Sequence, residues 1–352
     1  LTEQAEKIVH IPHLLYYWRS SPASVASNIS AKTYCLEAAM KALRAHYERM
    51  GVPVDAVTMV PNTPGFYKTD YTITKPGRVS VLIPSCDHSG DLRLCVESIY
   101  RKTTYPDFEI IIIENNSKEP ATFRCYEQLQ KEHPDTLHVL TWQGTGFNYS
   151  ALNNFGARAA TGEYLLLLNN DTEVISPDFI EEMMSYLQRP DAGVVGAKLY
   201  FADHLVQHAG ILVGVRGALA HANQDFSAKR EGYLARAVRP GNFSAVTGAC
   251  QMVRRDVFEQ VGGYNEEFAV GFNDADFCLR VWEAGYRTIF TPYAELYHYE
   301  FTSRGREEAN EEKLRRWKRE QALFMQHWPE FFLDGDPWLG PNLSSDSEYF
   351  SF

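Results

Sequence analysis

The sequence predicts an α/β protein built on a mostly parallel central sheet with helices on both faces. Three observations carry this. Apolar runs of strand length recur as "VSVLIP", "IIIIE" and "YLLLL". Amphipathic stretches of helix length alternate with them. Each run stops abruptly in polar side chains: Ser85 to Asp87, Glu114 to Ser117, and Asn169 to Glu173. A strand that is apolar throughout is buried on both faces, as a parallel sheet between helix layers requires. Ligands of such sheets bind beyond the carboxyl ends of the strands, so the polar clusters mark the expected site.

Residues 1–75 read differently from the rest. "SAKTYCLEAAMKALRAHYERMG" has helical periodicity, with Ser30 as N-cap and Gly51 as stop. "VDAVTMVPNTPGFYKTDYTI" reads as a hairpin or extended connector. From Val79 the alternation begins: strand "VSVLIP", helix "LRLCVESIYRKT", strand "FEIIIIENNS", helix "TFRCYEQLQKEH", strand "LHVLTW". Helix "NYSALNNFGARAATG", closed by Gly162, and strand "YLLLLNND" follow. "DAGVVGAKLYF" and "LVQHAGILVG" read as strands around a loop. A strand, a short helix, the helix "DADFCLRVWEAG" and a last strand "TIFTPYAELYHY" complete the second half. A charged helix and a Pro/Ser/Asp-rich irregular tail end the chain.

The totals bound the function. The chain of 352 residues carries a net charge of −11, which argues against a nucleic-acid partner. It leaves room for an anionic substrate, because a bound cation reverses the local field. Six cysteines without CxxC spacing read as free thiols rather than a zinc site, and a reducing cytosol fits them. No apolar run reaches membrane-spanning length. The chain opens at Leu1 without a methionine or signal peptide, and the expectation is a piece cut from something longer.

Three constellations can carry chemistry. Asp171, flanked by Asn169 and Asn170 at a strand tip, suits a hard divalent cation, which takes one or two carboxylates and completes its shell with phosphates and water. The same cluster would also make a turn. In "GFNDADFCLR", Asn273, Asp274 and Asp276 stand where a loop becomes a helix; one would cap it, and a carboxylate there also suits a general base. In "AELYHYEFTSRG", His298 ends the last strand, either as a structural residue or as a further ligand beside Asp171. Ser303 and Arg304 offer donors to a diphosphate.

The order of these segments resembles the family 2 glycosyltransferases of the GT-A fold. "VSVLIPSCDHSGDLRLCVESI" resembles their opening strand and helix, "IIIIENNS" the strand whose acidic tip reads the base, and "LLLLNNDTEV" the metal-binding DxD motif. The block "VTGACQMVRRDVFEQVGGYNEEFAVGFNDADFCLRVWEAGYRTIFTPYAELYHYEFTSRG" resembles the acceptor side with its ED motif. The tail "GPNLSSDSEYFSF" resembles bacterial, rhamnosyltransferase-like polysaccharide enzymes. The resemblance implies residues 76–306 as the catalytic domain, divided into a nucleotide-sugar half (76–173) and an acceptor half (174–306). Residues 1–75 are then a connector like the tail of a preceding domain, and 307–352 a C-terminal helix and tail.

Carried over by position, Asp171 is the metal ligand, with His298 joining the metal or diphosphate. Asn169 replaces the first acid of DxD, and Asn273 the glutamate of ED. Asp274 is the catalytic base. Glu114 or Asn115 reads the base; Pro84, Ser85, Asp87, Asn148, Asn153, Asn169 and Asn170 line the donor site; Gly248, Asn273, Asp276, Ser303 and Arg304 face acceptor or diphosphate. The implied cofactor is Mg²⁺ or Mn²⁺. The implied donor is a dTDP-, UDP- or GDP-sugar, and the acceptor a glycan or lipid-linked glycan of the cell surface. Other glycosyltransferase domains of the same polypeptide and the inner face of the plasma membrane are compatible partners, in a cytoplasmic setting. Two other readings stand beside inverting transfer. One is a glycan-binding scaffold of low activity, suggested by the asparagines at 169 and 273. The other is a nucleotidyltransferase, whose basic glycine-rich loop is not matched by "SCDHSGD".

Overall fold

The computed structural model describes residues 2–13, 15–17, 34–300 and 310–352. Ser30, Ser303 and Arg304 lie outside the described residues. Helix α1 (Tyr34–Met50) is followed by an antiparallel hairpin, β1 (Val54–Met59) and β2 (Tyr67–Tyr71), matching the helical periodicity and the hairpin read from the sequence. The alternation follows: β3 (Val79–Ser85), α2 (Ser89–Lys102), β4 (Phe108–Glu114), α3 (Pro120–Glu132), β5 (Leu137–Thr141), α4 (Tyr149–Ala159) and β6 (Tyr164–Leu168). Beyond β6 come β7 (Thr172–Val174), α5 (Phe179–Leu187), β8 (Ala192–Tyr200), β9 (Val206–His208), β10 (Ile211–Val213), β11 (Leu219–His221), β12 (Gly241–Phe243) and β13 (Cys250–Arg254). Helices α6 (Arg255–Gln260) and α7 (Asn273–Glu283), strand β14 (Arg287–His298), and helices α8 (Glu311–His327) and α9 (Pro329–Leu333) complete the order.

The main sheet runs β12-β14-β8-β13-β6-β3-β4-β5. Strands β5, β4, β3 and β6 are parallel to one another. Strand β13 is inserted antiparallel between β6 and β8, and β14 then runs parallel to β8. Side chains alternate across the sheet, as strand geometry dictates. Val79, Val81 and Ile83 join a core with α2, α3 and α5, whereas Leu82, Ile111, Ile113, Leu165 and Leu167 join one with α4 and α7. Both faces are therefore covered, which is why the strands read as unbroken apolar runs.

The structure refines several sequence expectations. "LVQHAGILVG" is broken into β9 and β10 at Gly210, whose φ is +99°. A Cβ at Gly210 would lie 2.5 Å from the Phe243 ring, so position and dihedral both demand glycine. Helix α4 closes at Ala159, before Gly162. Helix α5 and strand β7 carry no label in the sequence reading; both are short, and polar residues such as Glu173, Asp178, Glu181 and Glu182 interrupt their apolar pattern. The tail after α9 is irregular as expected, yet Leu339 and Phe350 are buried, and buried Asp336 accepts the Val213 amide at 2.7 Å.

The N-terminal hairpin docks on helix α5 beside the main sheet. Lys68 bridges Asp70 at 2.8 Å and the buried Glu182 of α5 at 3.0 Å, and the Tyr71 ring meets Tyr186 edge-on. All six cysteines are free, and burial pushes the Cys95 thiol up to about 12. Among the described residues no helix is long and apolar enough to cross a membrane.

Candidate active site

The carboxyl end of β6 is the centre of the site. Its last residues pair with β13, so the turn that precedes β13 lies against the tip: Asn169 N–H donates to Ala249 O at 3.0 Å. Beyond the tip the chain folds back as β7 and pairs antiparallel with the end of β14, His298 opposite Thr172. That register brings the imidazole of His298 to the carboxylate of Asp171, with Nε2 3.2 Å from Oδ1. Both residues are largely buried. The turn is stiffened from below, since Thr172 Oγ1 donates to Asn169 O at 2.9 Å.

Gln207 on β9 orients the histidine. Its Nε2 donates to His298 O and Glu300 Oε2, so its Oε1 is left to accept from His298 Nδ1 at 2.6 Å. The ring therefore carries its proton on Nδ1 and offers the Nε2 lone pair toward Asp171. Asn169 Nδ2 donates to that lone pair at 3.1 Å. Among the described residues no three His, Cys, Asp or Glu side chains form a ready metal cage. One carboxylate and one oriented imidazole still fit a divalent ion that draws its other ligands from phosphate and water. Gln207 does not stand out in the sequence, where it and His208 are the two polar residues of an otherwise apolar segment; only its partner identifies it.

Asp274 stands on the other side of the same turn, in the first turn of α7. Its Oδ2 accepts the Gly248 amide at 3.0 Å and its Oδ1 the Ala275 amide at 2.8 Å. Asn273 holds the backbone in place: its Oδ1 accepts Asp274 N–H at 2.7 Å and its Nδ2 donates to Val270 O. Gly248 is fixed by close approach, because an added Cβ would lie 2.9 Å from the Tyr149 hydroxyl, which itself donates to Gly248 O at 2.7 Å. One short turn, Gly248–Ala249, thus links Asp274 to the tip that bears Asp171.

The helix after the site contributes more than the sequence suggests. Glu320 of α8 is 1% exposed and accepts the amides of Ala269 at 3.1 Å and Gly271 at 2.7 Å, anchoring the loop that delivers Asp274. Burial raises the pKa of this carboxyl above its ordinary value, against the pull of those amides.

The donor-side expectations divide. Glu114 and Asn115 sit buried at the tip of β4; Glu114 Oε1 accepts Ser117 N–H at 2.6 Å and Asn115 Oδ1 accepts from Asn116 at 2.9 Å. Pro84 and Ser85 end β3 beside them, with Ser85 Oγ accepting from Tyr126 at 3.2 Å. Asp87 has φ +52° and its Oδ1 accepts the amides of Lys118 and Glu119, each at 2.8 Å. Those bonds, that of Glu119 first, hold its carboxyl below the usual range. Asn170 is largely buried beside Asp171.

Three residues are placed for structure. Asn148 caps α4, accepting Ala151 N–H at 3.0 Å and donating to Glu266 O at 2.9 Å. Asn153 is fully buried and donates back to Tyr149 O at 2.9 Å. Asp276 is 1% exposed, with Oδ2 on Arg280 at 2.8 Å and Oδ1 accepting from Trp328 at 3.1 Å, so it ties α7 to the end of α8.

Comparison with known proteins gives the family and the fold. The family model described as "Glycosyltransferase like family 2" matches residues 76–321. The uncharacterized protein y4gI of Sinorhizobium fredii is 40% identical over 99% of this chain, which spans 38% of that protein. The O-antigen biosynthesis protein RfbC of Myxococcus xanthus is 35% identical over 98% of this chain, which spans 26% of it. The chain thus corresponds to well under half the length of these relatives. Among solved structures, a mannosyltransferase of Pyrobaculum calidifontis in complex with GDP-Man and Mn²⁺ superposes with a TM-score of 0.51 at 19% identity, covering 87% of this chain and 75% of that one. This is a likeness of fold.

Proposed function

The chain belongs to the family 2-like glycosyltransferases, and from that membership we propose that it moves a sugar from a nucleotide diphosphate donor to a hydroxyl of a growing bacterial cell-surface glycan, inverting the anomeric centre. One observation carries this reading: the turn Gly248–Ala249 holds Asp274 and the Asp171 tip on one rim.

In this reading the tips of β3 and β4, with Glu114 and Asn115, receive the nucleoside. Asp171 and His298 would hold Mg²⁺ or Mn²⁺, which would supply Lewis-acid neutralisation of diphosphate charge. Asp274 takes the proton of the attacking hydroxyl, so its oxygens gain interaction as that proton leaves. The backbone amides of Gly248 and Ala275 fix the carboxylate's direction beforehand and limit reorganisation during the step. A cytoplasmic setting at the inner membrane face, as part of a longer assembly protein, suits such a donor and acceptor.

A second reading has its own observation. Asn169 occupies the Nε2 lone pair of His298, so a cation must displace an amide before it gains the imidazole. Weak metal binding and a mainly glycan-binding role would follow. UDP-, GDP- and dTDP-sugars, each with and without Mn²⁺, test both readings by thermal shift and by release of nucleoside diphosphate. A Mn²⁺-dependent shift with turnover supports transfer. A shift without turnover supports the scaffold, and no shift with any donor removes the nucleotide-sugar reading.

A further inference from the structure

A pair of histidines that the mechanism does not use lies beside both halves of the site. His208 ends β9 and is fully buried; His221 ends β11 and is half-buried. Their Nδ1 atoms are 2.9 Å apart, with the rings nearly perpendicular at 80°.

The protons on this pair follow from its surroundings. The amides of Gly210 and Thr247 both point at His208 Nε2, at 3.3 and 3.4 Å. That nitrogen is an acceptor, so the proton of a neutral His208 is on Nδ1. Burial holds both imidazoles neutral by lowering their pKa values. His208 Nδ1–H therefore donates to His221 Nδ1, and the proton of His221 is confined to Nε2. Among the described residues this Nε2 meets no hydrogen-bond acceptor. His221 is thus a fixed hydrogen-bond donor that cannot act as a base through Nδ1.

Its position is the second observation. Thr247, which grips His208, immediately precedes Gly248, which grips Asp274. His208 follows Gln207, which grips His298. Through His208 the pair is therefore tied on one side to the turn that holds the proposed base and on the other to the residue that orients the proposed metal ligand.

We propose that His221 is a specificity-determining residue whose Nε2–H donates to a hydroxyl oxygen of the transferred sugar, with His208 as the positioning residue that fixes its tautomer. The proposal rests on the donor reading above. A neutral donor suits this role, since a hydroxyl oxygen accepts readily and no proton is withdrawn from Asp274.

The test uses the full chain with Mn²⁺ and compares calorimetric affinities for UDP, GDP and dTDP with those for UDP-glucose, GDP-mannose and dTDP-rhamnose. For the pair that wild type binds, His221→Ala should leave the nucleoside diphosphate affinity unchanged and weaken the sugar nucleotide roughly tenfold, the loss of one hydrogen bond. His221→Gln, which keeps an N–H, should recover part of the loss. Imidazole ¹⁵N spectra should show His221 with its proton on Nε2 alone, and a tautomer mixture in His208→Gln. Equal loss of both ligands in His221→Ala, no loss of either, or a mixed tautomer in wild type would overturn the assignment. Wild type that binds no nucleotide at all would instead overturn the donor reading, and the sugar role with it.

Discussion

His298 turns Nε2 toward Oδ1 of Asp171 at 3.2 Å, and that direction is imposed from behind, by Gln207 at Nδ1. The relationship depends on two strand pairings. β7 against β14 sets His298 opposite Thr172, one residue from Asp171, and β9 against the end of β8 brings Gln207 to the other side of the ring.

Gln207→Leu should lower Mn²⁺-dependent affinity for a nucleoside diphosphate by about 10- to 100-fold, the usual cost of losing a residue that orients a ligand. Gln207→Glu keeps an acceptor for Nδ1–H and should retain more of it. Calorimetric titration with and without Mn²⁺ reads both variants. If Gln207→Leu binds as wild type does, the ring is oriented by something else.

Asp171→Ala should abolish the metal-dependent part of that affinity. Asp171 is the only acid in "NND", so its removal leaves a cation with neutral ligands in an acidic protein. Asn169→Asp should strengthen it, by adding an anionic oxygen and by removing the amide that now occupies His298 Nε2. The same titration decides; equal metal dependence in wild type and Asp171→Ala would end the metal assignment.

Asp274→Asn should cost on the order of 10² to 10⁴ in transfer rate while donor affinity stays close to wild type. A base acts on the acceptor, and the amide side chain can still accept from Gly248. Transfer at wild-type speed would place the base elsewhere. Asp276 would be the poorer substitute, because it is buried and ion-paired to Arg280, whereas Asp274 keeps some exposure.

What the sequence made legible was local. The strands could be read because burial on both faces writes itself as unbroken apolar runs, and Asp171, Asp274 and His298 because each interrupts such a run or opens a helix. Asp276 and Asn148 have the same local signature, and only burial and partners separate a cap or a buried tie from a ligand. Gln207 and His221 meet their partners only through the fold, on strands of three residues that carry no periodicity. Glu320 is hidden differently, as one acid within the charged "REEANEEKLRRWKREQ", which reads as a solvated helix face. A boundary drawn at residue 306 therefore leaves out a side chain that braces the Asp274 loop.

Glu320→Gln tests that bracing. The carboxylate accepts two amides, one on each oxygen. A glutamine of the same shape can accept only one and must turn an N–H₂ toward the other, so a buried donor is left unsatisfied. The cost should be about 1 to 3 kcal/mol of folding stability. The effect should also depend on pH. Burial raises the folded pKa of Glu320 above its ordinary 4.5, so the native state binds the proton more tightly than the unfolded chain. The stability this group contributes then increases as pH falls through the folded value toward 4.5, and is lost as pH rises through the folded value. Wild type should accordingly gain on Glu320→Gln as pH falls from neutrality toward 4.5. At neutral pH the variant should transfer sugar more slowly with its nucleoside diphosphate affinity intact, because the loosened loop carries Asp274 and not Asp171. Denaturant melts at both ends of that pH range, beside a turnover assay, read all three effects. A constant stability difference would show that Glu320 titrates normally, and an equal loss of nucleotide affinity would show that α8 supports the donor side as well.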